Sequence, residues 1–96
     1  MATVGYVYGR FQKLLLDSGW RVHSHSPGED PLQRIVIFKR GGFEWRIERF
    51  KTWTCVTNGH VTFGYSPYGK FYVFVQFELE YCSDRVFWSC FEETIY

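Results

Sequence analysis

GKFYVFVQFELEY, residues 69–81, carries apolar or aromatic side chains at nearly every position of its first half and then alternates strictly. Either it is a strand with one buried face, or it holds rings outward toward a partner. The turn before it, SPYG at 66–69, has Pro67 and Gly69 placed for a type I turn followed by a glycine bulge. That bulge shifts the pairing by one, setting Phe63 opposite Val73 and Val61 opposite Val75. Phe71, Val73, Val75, Phe77, Leu79 and Tyr81 then share a core face with Val56, Val61, Phe63 and Tyr65. The other face is expected to carry Tyr72, Phe74, Gln76, Glu78 and Glu80.

Upstream, Asn58-Gly59 is a strong hairpin signal. It is expected to pair Val56 with Val61, Thr54 with Phe63, and Trp53 with Gly64, where a ring covers bare backbone. Gly41-Gly42 accepts positive φ at both positions and sets Lys39 opposite Glu44, Phe38 opposite Trp45 and Val36 opposite Ile47. Between Ile47 and Thr54 the apolar phase passes from odd to even positions, which calls for a bulge or bend near 49–52. Downstream, RVFWSCF at 85–91 has a capping pair in Ser83 and Asp84, yet its Val, Phe and Trp favour a strand. A strand there sets Val86, Trp88 and Cys90 against Tyr81, Leu79 and Phe77.

Before the strands, VGYVYGRFQKLLL at 4–16 places Val4, Val7, Tyr8, Phe11 and Leu15 at helical spacing, between Thr3 and Gly19. The expected fold is α+β: one domain over residues 1–96, an N-terminal helix packed on a curved antiparallel meander of about five to six strands. This arrangement resembles cystatin-like architecture. SPGEDP at 26–31 is the one clear loop.

Composition narrows the function classes. Charged residues are 22% and hydrophobic residues 46%, an ordinary globular balance. Ten Phe, seven Tyr and four Trp are more rings than a domain of this size can bury, so some should mark a contact surface. The net charge of +1 is unevenly spread. Residues 1–51 hold nine Lys/Arg against five Asp/Glu, and residues 52–96 hold two against five. Three cysteines, Cys55, Cys82 and Cys90, without a CxxC pair, point to free thiols in a reducing, cytoplasmic compartment. No apolar run approaches the roughly 18 residues of a membrane span.

No phosphate-binding glycine loop or nucleophile motif can be argued from this spacing, and no cofactor or metal is expected. The expected binding surface is the outer sheet face: Trp53, Tyr72 and Phe74 around Gly64, with Phe91 beside Gln76. Rings with a polar rim suit a protein interface. The leading expectation is thus a non-enzymatic inhibitor of a larger protein, for example a phage-type counter-defence or immunity protein, or a homodimer built on that face. The alternative is nucleic-acid binding or cleavage through the basic first half, with His23 and His25 on one face of a strand beside Arg21, and Arg46 and Arg49 nearby. FQKLLLDSGW followed by those histidines resembles the opening of HicA-type ribonuclease toxins. The resemblance implies a helix ending at Gly-Trp and a strand bearing the catalytic histidine, with His23 or His25 standing in.

Overall fold

Thr3 opens the first helix by accepting the Tyr6 N–H on its side-chain oxygen at 3.1 Å. The computed structural model describes residues 2–96. Helix α1 spans Val4–Asp17 and buries Val7, Phe11 and Leu15, one residue per turn along a single stripe. The chain leaves it through Gly19 at φ 86, which only glycine adopts without strain.

Seven strands follow: β1 (Arg21–Pro27), β2 (Arg34–Arg40), β3 (Phe43–Arg49), β4 (Thr54–Thr57), β5 (Val61–Tyr65), β6 (Phe71–Val75) and β7 (Glu78–Cys82). They form one antiparallel sheet in sequence order, a meander with β1 and β7 at its edges. A second helix, α2 (Asp84–Ile95), closes the fold. Rings of α1 and α2 touch each other, so both helices cover the same face of the sheet.

The Gly41-Gly42 and SPYG turns produce the expected registers, Phe38 opposite Trp45 and Phe63 opposite Val73. Four other expectations are corrected. First, the phase change after Ile47 is a full reversal rather than a bend. The Phe50 N–H donates to the Trp53 carbonyl, Ile47 faces Val56, and this reversal pairs odd positions with even ones. Second, Asn58-Gly59 is not a two-residue turn. The Asn58 side-chain oxygen accepts the N–H groups of both His60 and Val61, and three residues, 58–60, separate β4 from β5. Val56 therefore meets Phe63, and Cys55 rather than Trp53 meets Gly64.

Third, residues 69–81 are not one strand. Gln76 and Phe77 adopt φ 53 and 63, a two-residue reversal that sets Phe74 opposite Leu79 and Tyr72 opposite Tyr81. This reversal again exchanges odd for even, so Leu79 and Tyr81 move to the outer face and Glu78 and Glu80 to the helix side. Fourth, residues 84–95 are helical. Ser83 accepts the Val86 N–H at 3.3 Å, and Phe87, Trp88, Phe91 and Ile95 point into the core. A strand would have sent Phe87 and Phe91 away from Trp88; helical spacing lets all of them bury, and burial outweighs the local β-propensity.

The core is one cluster. It joins α1 and α2 to Val36, Phe38, Trp45, Ile47, Val56, Phe63, Tyr65 and Phe71 of the sheet. Phe91 sits at its centre, edge-on to Phe11, Trp45, Phe63 and Trp88 at centroid distances of 5.2–6.2 Å. Arg40, at the end of β2, ties the helix ends together. Its guanidinium donates to the Ser18 carbonyl at 2.7 Å and the Tyr96 carbonyl at 2.8 Å, and lies over the Trp20 ring. No helix among the described residues is long and apolar enough to cross a membrane.

Candidate interaction face

With both helices on one side, the other face of the sheet is covered by no helix or strand among the described residues. Its side chains fall into two rows that follow from the registers. One row runs Ser24, Ile37, Arg46, Thr57, Thr62, Phe74, Leu79. The next runs Ser26, Ile35, Glu48, Cys55, Gly64, Tyr72, Tyr81. The rows are polar and charged toward β3, where Arg46 Nε meets Glu48 Oε1 at 2.8 Å, and aromatic toward β7.

Gly64 organises the aromatic end. A Cβ there would fall inside the Tyr72 ring, so the missing side chain is what lets Tyr72 lie flat across β5 toward Cys55. The burial is felt by both groups. Tyr72 is pushed up to about 12 by burial, and the neighbouring Cys55 and Tyr81 add to the shift. Cys55 is also pushed up to about 12 by burial and by Glu48, with Arg46 opposing. Its thiol is a packed apolar group. Beyond Tyr72 the surface opens: Phe74, Leu79 and Tyr81 are exposed, the last with Lys70 Nζ over its ring at 5.4 Å. At the hairpin tip Phe77 is 96% exposed.

The expected patch is therefore partly dispersed and partly enlarged. Tyr72 and Phe74 are on this face. Gln76 is the first residue of the tip turn. Trp53 is not part of the row; it sits in the β3–β4 turn with its ring stacked on Phe50 at 4.2 Å. Phe91 is fully buried, because its segment is a helix. Leu79, Tyr81 and Phe77 replace them. Nothing in the sequence flagged these three, since a Gln-Phe turn lacks the glycine or asparagine that left-handed backbone normally selects.

The basic alternative also spreads apart. β1 pairs Arg21 with Lys39 and His25 with Val36, and a bulge between Val22 and Ser24 leaves His23 as the extra residue. The two histidines thus do not share the regular alternation expected of them. Arg46 lies on the outer face, paired to Glu48, whereas Arg49 lies on the helix side, opposite Arg34. Among the described residues no group of three His, Cys, Asp or Glu side chains is arranged to hold a metal ion. Compared with known proteins, the chain matches no family model, no curated protein and no solved structure.

Proposed function

We propose that the chain is a non-enzymatic protein-binding module that docks through the β6–β7 hairpin and the sheet face behind it. Its target is a larger protein, which it blocks in the manner of a phage-type counter-defence or immunity protein. In this reading the scaffold is cystatin-like in architecture, a helix held by a meander, with α2 as an addition.

One observation carries the proposal. Phe77 holds left-handed backbone, φ 63, with its ring 96% exposed. Backbone of this kind costs a non-glycine residue on the order of 1 kcal/mol or more. Leaving a phenylalanine ring in water forgoes about 1.5–3 kcal/mol that burial would contribute. Glycine at position 77 would remove both costs, so the ring makes sense as an anchor for something outside the chain. Phe74, Leu79 and Tyr81 extend the apolar surface behind it, and Thr57, Thr62 and the Arg46–Glu48 pair supply a polar rim. A standard interface takes about 800 Å² from each partner, against a total surface of 6313 Å².

The test separates anchoring from folding. Phe77→Gly should keep or raise the melting temperature, yet a tagged variant should fail to retain the partner that the wild-type chain captures. Leu79→Ser with Tyr81→Ser should do the same without touching the turn. Loss of partner in both variants, from a chain that sediments as a monomer, supports the reading. If the same variants instead abolish self-association, the face belongs to a homodimer. A partner retained by both variants, or a melting temperature that collapses in Phe77→Gly, ends it.

A further inference from the structure

We propose that Arg34, Arg49 and Tyr8, gathered beside the first turn of α1, form a binding site for a phosphate group. The site is on the helix side of the sheet and is independent of the aromatic face. Arg34 and Arg49 stand directly opposite each other across β2 and β3. Like charges so placed repel and destabilise a strand pair. Among the described residues the ion pairs are Lys13–Asp17, Lys39–Glu44 and Arg46–Glu48, and neither Arg34 nor Arg49 has a carboxylate partner. Asp30, in the adjoining loop, turns its carboxylate to the Leu32 N–H.

Both guanidiniums are held in place rather than waving in solvent. Arg34 Nη1 donates to the Pro31 carbonyl at 2.8 Å and the Gln33 carbonyl at 2.7 Å. Arg49 lies over the Tyr8 ring at 5.4 Å, and a Cβ on Gly5 would come within 3.5 Å of its Nη2. Its Nε is buried with no hydrogen-bond partner among the described residues. An unpartnered buried donor on a cation is costly unless something accepts from it. Tyr8 feels both charges: burial pushes its hydroxyl up, while Arg49 and Arg34 pull it back down.

The ligand class follows from the charge. Two fixed guanidiniums, a phenol hydroxyl and the positive end of α1, whose first turn contains no acidic residue, make a field matched to a dianion. A carboxylate would leave half of the arginine charge uncompensated. A phosphate offers several acceptor oxygens to two planar donor forks, the geometry in which arginine exceeds lysine. Inorganic phosphate and small phosphate monoesters share this chemistry.

The experiment follows the arginine side-chain Nε–H signals and the Gly5 and Tyr8 amides by NMR. Sodium phosphate, glycerol phosphate or sodium acetate is titrated at pH 8, with chloride holding ionic strength constant. Saturable shifts at Arg49, Arg34 and Gly5 with phosphate are expected, together with a rise in melting temperature. Arg34→Gln should weaken binding about tenfold or more while the melt without phosphate stays intact. Arg49→Lys keeps the charge but loses the fork, and should weaken it comparably. Tighter binding of glycerol phosphate assigns the site to monoesters, and preference for the inorganic ion assigns it to free phosphate. Shifts equal to those in chloride, acetate binding as tight as phosphate, or saturable binding unchanged in Arg34→Gln would each overturn the assignment.

Discussion

Gly64 and Tyr72 form a single unit, one defined by an absent side chain and the other by the ring that fills its place. Cys55 lies beside them, opposite Gly64. Their chemistry gives a pH signature. Cys55 moves from an ordinary 9.0 to about 12 and Tyr72 from 10.0 to about 12. Tyr8 and Cys82 shift in the same direction, again mainly through burial. A raised acid keeps its proton in the folded chain after the unfolded chain has lost it. These groups therefore leave stability unchanged below pH 9 and reduce it as pH climbs from 9 toward 12. The loss should reach roughly a few kcal/mol at the upper end, carried mainly by Cys55, because solvent screens the more exposed groups. Melts between pH 7 and 11 should show the decline, and Cys55→Ala should flatten it; equal slopes in the two proteins would contradict this account. None of this was visible from residue types alone. Position 55 could be placed near the sheet surface, but whether its thiol was covered depended on a ring seventeen positions away.

Elements were legible where backbone chemistry announced them. Gly41, at φ 61, and Gly69, at φ 76, sit where left-handed backbone is needed, and although Gly42 does not share that conformation, the registers these turns imply are the ones formed. Asn58-Gly59 misled because the asparagine side chain accepts two N–H groups and stretches the loop. Gln76-Phe77 gave no signal, so a hairpin read as one long strand. For α2 both signals were present, a Ser83-Asp84 cap and β-prone residues, and the decision lay with core positions contributed by α1 and the sheet. The tie between elements is equally local in cause. Arg40 holds the carbonyls at the ends of both helices, where the helix dipoles are negative. Hydrogen bonds from a charged donor contribute about 1.5–3 kcal/mol each. Arg40→Ala should cost about 2 kcal/mol in urea unfolding, and amide exchange should quicken in the last turn of α2. Arg40→Lys cannot span both carbonyls and should recover less than half. Full recovery would mean that charge alone matters.

For the molecule as a whole, the surplus of rings was the most reliable inference from composition. Ten aromatic side chains enter the core, and the remaining rings are half-buried or exposed. With a radius of gyration of 12.5 Å, the interior has no space for more. Removing one ring from its centre should be felt everywhere. Phe91→Ala is expected to cost about 3–5 kcal/mol, with the sheet and both helices melting together in one transition. A loss under 1 kcal/mol would place Phe91 at the surface after all. The strand order has a further consequence, in time rather than in space. Each strand finds its partner in the segment made just before it, so the sheet can assemble piecewise as the chain leaves the ribosome at about 5–20 residues per second. Yet α1 covers only part of that sheet's apolar face, and the rest stays open until α2, made after all seven strands, arrives. For those seconds the nascent chain presents a half-built barrier to water, and its need for a chaperone should end when Phe87, Trp88, Phe91 and Ile95 emerge.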